Sequence, residues 1–501
     1  MDKEGVILQS RNRIFYNALL LTGVNLLLRL VGTGFQVYLS GRIGAEGIGL
    51  LQLTLSVGSM AMVAGMAGIR TATMYLTAEA IGKERPGSIP WVLSGCILYS
   101  FLCSGTVAAA LYTLAPNICR AWIGDIQVLP SVRLFAVFLP VNCLTGVMVG
   151  YFTGANRIRT LAAVEVAEQL CSMGATVALL SLWAGHDAAN ACQSVILGSS
   201  IGGCMTLSCL VVLRLKEPKS ASQRVTIRHQ LIATAAPLAV ADDLKTGINT
   251  VENLMVPKRL ALYPGTASPL AAFGTISGMV FPVLMFPAAI LFGLAELLIP
   301  EMARSHAAGH HRRIRYLSTQ CLRAALLYGS FCAGILFLIA KPVCQSLYGS
   351  EDAGVYLQWF APLAVMLYCD AITDAMVKGL GQQKISVRYN ILTSAMDVVF
   401  LYLLLPKYGI FGYFLSFLVT HAVNFLLSIC LLDRLTGRTL PVKTALLTLG
   451  AAALSVWAAD HLSHSFGKVC AFSILLICLL SLSGIVGKDD IRWAKRLVQN
   501  K

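Results

Sequence analysis

Charge is what this chain most lacks: Asp, Glu, Lys and Arg make up 13% of its 501 residues against 56% apolar. With a mean hydropathy of +0.72, such a chain could not stay dissolved as one ordinary globule. It also lacks any polar stretch long enough to hold a catalytic domain, and no nucleophile, base or metal cluster stands out. Fifteen cysteines are present, yet no pair has metal-ligand spacing. Nearly all of them (Cys96, Cys103, Cys171, Cys204, Cys430 and Cys470 among them) lie inside apolar runs, where a free thiol packs as a small hydrophobe and forms no disulfide framework. The eight histidines fall mainly in loops (His306, His310, His311, His461, His464), which reads as solvated surface. No cofactor and no metal are expected.

What the chain does have is apolar runs of about 20 residues, each the length that crosses a ~30 Å hydrocarbon core. They cover 15–40, 48–76, 90–114, 131–153, 161–184, 192–213, 231–256, 271–297, 321–341, 358–379, 389–406, 410–432, 442–460 and 468–486. The expected fold class is therefore an all-α polytopic membrane protein with about fourteen transmembrane helices. The first run follows Lys3, Arg11 and Arg13 as a signal peptide would. It is too long, carries Arg29 and has no small-residue cleavage site of the usual kind, so it reads as a retained helix.

A net charge of +15 raises the question of a nucleic-acid partner, and the placement of the charges answers it. With a cytoplasmic N-terminus, and with charges at span ends counted with the adjoining segment, the cytoplasmic segments hold 28 Lys and Arg and the outer segments 8; three more, Arg29, Arg70 and Lys245, fall inside spans. That asymmetry is the positive-inside rule, so the basicity is topological, no nucleic acid is implied, and both termini are expected in the cytoplasm. The basic tail 488–501, with Ile491, Trp493 and Leu497, suits the anionic inner leaflet.

Two short echoes suggest an internal repeat. Tyr38-Leu-Ser-Gly-Arg42 is echoed 217 residues later by Val256-Pro-Lys-Arg259, and Gly154-Ala-Asn-Arg157 is echoed 227 residues later by Gly381-Gln-Gln-Lys384. Both offsets enclose six spans, which returns the chain to its starting side and makes the halves parallel repeats. Chance similarity among Gly-rich helix ends is the competing reading. The expected organisation is 1–222 as an N-lobe of helices 1–6 and 223–437 as a C-lobe of helices 7–12, with a central cavity. Residues 438–501 then supply helices 13 and 14 and the tail.

A charge at mid-bilayer costs at least ~2.5–3.5 kcal/mol, so each one must face protein or water and defaults to a functional hypothesis. At 100° per residue, Asn25, Arg29, Gly32 and Gln36 share one narrow arc of helix 1. On helix 2, Gln52, Ser56, Ser59 and Arg70 share a direction. Arg70 stands near the cytoplasmic end, where snorkelling explains it as well as a cavity does. Helix 7 places Asp242, Lys245, Asn249 and Glu252 on one face, either lining a cavity or pairing internally as Asp242 with Lys245. The acids Glu165 and Glu168, Glu296 and Glu301, Asp370 and Asp374, and Asp397 remain. Close carboxylates such as Asp370 and Asp374 could share a proton or bind a cation, or they could hold loops through Arg and Lys.

The opening Arg29-Leu-Val-Gly32 with Tyr38-Leu-Ser-Gly-Arg-Ile-Gly-Ala-Glu-Gly-Ile-Gly-Leu-Leu-Gln-Leu53 resembles the polysaccharide-exporter branch of the multidrug/oligosaccharidyl-lipid/polysaccharide (MOP) superfamily. Gly154-Ala-Asn-Arg157 with Ala167-Glu-Gln169, Asn253-Leu-Met-Val-Pro-Lys-Arg-Leu260 and Leu297-Leu-Ile-Pro-Glu301 extend the likeness. The resemblance implies fourteen helices as two six-helix lobes around a cavity plus two more. It also implies flipping of an undecaprenyl-pyrophosphate-linked saccharide, a peptidoglycan precursor, across the bacterial cytoplasmic membrane during spore cortex formation. Cavity cations would bind the anionic head group, and the positions that fit are Arg29, Arg70, Lys245 and Arg259. The polar stripe Asn25, Gln36, Gln52 and Asn249 lies beside them. Asp242, Glu252, Asp370 and Asp374 are candidates for ion coupling. Expected partners are the lipid-linked saccharide, membrane lipids and cell-wall synthesis enzymes. Asp242-Asp-Leu-Lys245 and the Pro- and Ala-rich stretch 258–270 depart from the pattern.

The rival expectation is a multidrug and toxin extrusion antiporter of similar architecture, which wants a carboxylate deep in its N-lobe. The first span offers Arg29 and no acid. A non-transporting scaffold gains nothing from an arginine at mid-membrane.

Overall fold

The computed structural model describes residues 3–83, 86–184, 188–217, 228–437 and 442–485. Every regular element among them is helical. Two helices, Lys3–Met66 and Gln383–Thr436, have 64 and 54 residues, which at a 1.5 Å rise is too long for one crossing. Each is broken at a glycine whose dihedrals side chains other than glycine avoid: Gly44 at φ 70°, ψ 176° and Gly409 at φ 56°, ψ −135°.

With those breaks the first helix yields α1 (3–43) and α2 (45–82). Then follow α3 (Ile89–Ile118), α4 (Leu129–Gly154), α5 (Ile158–Leu179), α6 (Ala188–Leu215) and α7 (Arg228–Leu260). Two spans are bent pairs: α8 (269–307) turns by 63° after Met285, and α10 (351–379) by 55° after Phe360. Between them runs α9 (His311–Tyr348). The last four are α11 (383–408), α12 (410–436), α13 (Val442–Asp460) and α14 (Ser465–Leu482). These fourteen segments of the described residues match the spans read from hydropathy, and the chain is an all-α polytopic membrane protein.

Two compact units result: residues 1–274 with Leu401–Pro406, and 275–400 with 407–501. The first unit therefore takes in α7 as well as the six helices expected of an N-lobe. Its core joins Ile69, Leu76, Val92, Phe152 and Leu210 to Leu231 and Ala235 of α7. Apolar residues have no reason to leave lipid for one another, so close helix packing depends on small residues. Gly146, Gly150 and Gly154 form such a row on α4, and methyl groups at the last two would collide with the carbonyls of Arg70 and Met74 on α2. Gly198 and Gly202 on α6 do the same for α5 at Thr176, Ser172 and Glu168.

In the second unit, Phe281, Phe360, Phe414 and Phe417 interlock edge-on and tilted at centroid distances of 5.3–5.9 Å, an arrangement that suits the ring quadrupoles. Phe472 of α14 fits against Gly334 of α9 and stacks on Phe331 at 6.1 Å.

Within α2 the helix breaks once more, at Ala67 and Gly68 (φ 43° and 70°). A methyl at Gly68 would also strike the carbonyl of Ala235 on α7. Gly68→Ala should cost roughly 1–2 kcal/mol for the left-handed backbone alone, with the collision added. The expected outcome is a lowered melting temperature in detergent; an unchanged one would contradict this packing.

Candidate functional site

The helix that stands apart chemically is α7. At 33 residues it is long enough to span, yet it is absent from the helices of the described residues that are apolar enough to do so. One of its faces is buried through Leu231, Ala235, Ala239, Thr250, Leu254, Val256 and Leu260. That face is tied to α2 by hydrogen bonds. Thr250 Oγ1 donates to the Ser56 carbonyl at 3.1 Å, and Asn253 Nδ2 to Ser56 Oγ at 3.0 Å. Ser56 Oγ donates in turn to the Gln52 carbonyl at 2.8 Å. Near the start of α7, Gln230 Nε2 reaches Glu79 Oε2 at 2.6 Å. Asp242, Lys245 and Asn249 are exposed along the turns that lead up to Thr250 and Asn253.

The other residues expected at the site divide by their company. Lys245 and Arg70 are accessible and make no hydrogen bond or ion pair with another described residue, so the internal pair Asp242 with Lys245 is not formed. Arg70 is held by its backbone against Gly150, and its charge acts on Glu165 of α5, beside Glu168. Glu168 itself accepts from Thr206 Oγ1 at 3.0 Å. Arg29 and Gln36 are half-buried on α1 and interact with other groups of the chain, as does half-buried Glu252 on α7. Gly32 faces Gln169 of α5, whose Nε2 lies 3.8 Å from where a Cβ would be. Gln52 is half-buried. The side chain of Asn25 lies outside the described residues.

Arg259 has different company from that expected of a cavity cation. Its Nε and Nη2 donate to the Tyr402 carbonyl at 3.2 and 2.9 Å, and its Cζ lies 3.6 Å from the centre of the Tyr402 ring. Its donors are thus directed at the backbone of another helix.

In the second unit, Asp374 pairs with Lys378 at 2.6 Å and accepts from Ser386 Oγ. Asp370 accepts from Asn424 Nδ2 at 2.9 Å, while its other oxygen has no hydrogen-bond partner. Asp397, not among the site residues expected from sequence, is 5% exposed. It accepts from Ser416 Oγ at 2.5 Å and Thr420 Oγ1 at 3.1 Å. The signal was available: Ser416, Thr420 and Asn424 recur every four residues on α12, and Thr393 and Asp397 stand four apart on α11.

Comparison with known proteins agrees with this architecture. The polysaccharide biosynthesis protein family profile matches residues 14–252. Stage V sporulation protein B of Bacillus subtilis (strain 168) is 21% identical over 501 residues, covering 95% of this chain and 96% of that protein. The structure of lipid II flippase MurJ in an inward closed conformation superposes with a TM-score of 0.68 at 12% identity, over 93% of this chain and 98% of that one. An inward-facing multidrug resistance MATE family transporter gives 0.67 at 14% identity, over 83% of this chain and 98% of that one. The fold is that of the MOP-superfamily transporters. The sequence likeness is to the polysaccharide-exporter branch, as Arg29-Leu-Val-Gly32 and the motif at 38–53 implied.

Asn253→Ala removes one bond of the α2–α7 seam, and interhelical hydrogen bonds in membranes average about 0.6 kcal/mol. In a double-mutant cycle with Ser56→Ala the two losses should be less than additive. Full additivity in detergent unfolding would show that the bond contributes nothing.

Proposed function

We propose that the chain flips an undecaprenyl-pyrophosphate-linked saccharide, a peptidoglycan precursor, across the bacterial cytoplasmic membrane, by exposing one cation-lined site to each face in turn. The observation that carries this reading is the exposed polar row of α7. A spanning helix that is bonded to α2 through Thr250 and Asn253 and leaves Asp242, Lys245 and Asn249 exposed cannot turn those charges to hydrocarbon. Water must reach it.

A polyprenyl pyrophosphate keeps its tail in lipid while its charged head crosses the core, and the head needs replacements for the water it loses. Lys245 and Arg70 make no hydrogen bond or ion pair with another described residue, although Glu165 feels the charge of Arg70, and both can supply them; a guanidinium suits bidentate phosphate contact. Arg29, Asn25, Gln36, Gln52 and Asn249 provide the rest of the polar lining. Asp242 and Glu252 on α7, and Asp370 and Asp374 on α10, are the groups through which a coupling ion would act. A likeness to a sporulation protein supports spore cortex as the destination, with cell-wall synthesis enzymes as partners, both termini cytoplasmic and the forespore or mother-cell membrane as the location. Potential supplies a driving force: two negative charges moving outward down an inside-negative field gain ~4.6 kcal/mol per 100 mV.

The test uses vesicles containing the full chain and a fluorescent undecaprenyl-pyrophosphate disaccharide, with flipping read as loss of protection from an impermeant quencher. Arg70→Ala and Lys245→Ala should each slow flipping about tenfold or more, the worth of one hydrogen bond to a charged group. Unchanged rates in both would sink the cation site. Collapsing an inside-negative potential should slow transport of this lipid out of the vesicle, and indifference to potential would remove the driving force.

A further inference from the structure

Two adjacent cations at the end of α7, Lys258 and Arg259, are both spent on backbone carbonyls of other helices. Lys258 Nζ donates to the carbonyl of Ala121, in the wide turn Cys119–Ile123 that ends the third span. The last carbonyls of any helix lack an intrahelical donor, so Lys258 caps one of them.

Arg259 answers a vacancy made by sequence elsewhere. In α11 the carbonyl of Tyr402 would accept from the amide of residue 406, but residue 406 is proline and has no N–H. In a membrane-spanning helix such an orphan calls for a donor from elsewhere. Arg259 brings Nε and Nη2 to that oxygen at 3.2 and 2.9 Å and sets its Cζ over the Tyr402 ring, 3.6 Å from its centre. Two donors in a fixed plane plus a face that stacks is guanidinium chemistry, which an ammonium cannot reproduce. Leu401–Pro406 is moreover the one stretch of the later chain that groups with the first compact unit.

We propose that Arg259 is a positioning residue: with Lys258 it fastens the C-terminal end of α7 to the ends of α3 and α11, and it does not contact cargo. The polar wall of α7 then moves only together with those two ends. On the expected topology the fastening lies at the outer face, opposite to the end of α7 where Gln230 meets Glu79. Its consequence for transport rests on the flippase reading, but its chemistry does not.

One arm of the test therefore needs no cargo. Hydrogen exchange of the full chain in phosphatidylglycerol and phosphatidylethanolamine nanodiscs should show the amides around 401–408 exchanging about tenfold or more faster in Arg259→Gln, the loss of a charged donor. Amides in the first half of α11 should not change. No rise around 401–408 overturns the fastening. The second arm uses the vesicle assay. Arg259→Gln should lower the maximal flipping rate and leave the half-saturating lipid concentration unchanged, whereas a raised half-saturation with an unaltered maximum means a cargo ligand and overturns the proposal. In Arg259→Cys with Tyr402→Cys, bridging by a short bis-methanethiosulfonate, verified by peptide mass, should restore the maximal rate. A verified bridge without recovery means that the positive charge itself is needed, and the proposal fails. If wild type does not flip the disaccharide at all, the cargo reading fails and the exchange arm alone judges the fastening.

Discussion

A backbone in hydrocarbon has no water to turn to, so every break in a spanning helix needs a donor from the chain itself. Three of the breaks seen here are supplied by side chains from other helices. At the Ala67–Gly68 break of α2, Tyr99 of α3 donates to the Ala67 carbonyl at 3.3 Å. At the bend of α8, Tyr368 of α10 reaches the Leu284 carbonyl at 2.7 Å and Tyr328 of α9 the Pro287 carbonyl at 2.9 Å. Near the end of α11, Arg259 of α7 serves Tyr402. Tyr and Arg suit this task because both carry a donor at the end of a body that packs in apolar surroundings. Each donor also pins its own helix to the broken one, so the irregularities are points where two spans are joined.

The same economy of polar groups governs the charges. Many Ser and Thr inside the helices turn their hydroxyls back on carbonyls of the preceding turn, as Thr33 does to Arg29 at 2.9 Å and Thr54 to Leu50 at 2.9 Å. They therefore ask nothing of lipid. Full charges cannot be hidden that way. Those of the second unit are placed among partners: Asp374 with Lys378, Asp370 with Asn424, and Asp397 with Ser416 and Thr420. The cations Arg70 and Lys245 have no such partner among the described residues.

The fourteen spans were legible because transfer to hydrocarbon is an additive property of local composition, and the positive-inside count follows from it. The breaks were partly legible. Gly409 and Pro406 stand where the sequence divides α11 from α12, and Pro287 and Pro362 stand at the bends of α8 and α10, but prolines such as Pro116 and Pro140 sit inside helices that continue, so a proline alone does not tell a bend from a straight span. The neighbourhood of Arg259 in sequence, Val256-Pro-Lys-Arg259, gives no hint of a proline at 406. Nothing near Asp397 in sequence sets it apart from the other acids, because the residues that satisfy it lie on the next helix.

By itself, then, the sequence determined that this chain lives in lipid, how many times it crosses, and which few residues carry charge where charge is expensive. Each of these depends on a residue and its near neighbours. Only the tertiary structure decided which of those charges is already used. A guanidinium's role depends on the acceptor nearest to it in space, and for Arg259 that acceptor is a carbonyl whose own lack of a donor is set by a third residue far along the chain. Pairing of this kind is made by packing, and local sequence has no means of recording it.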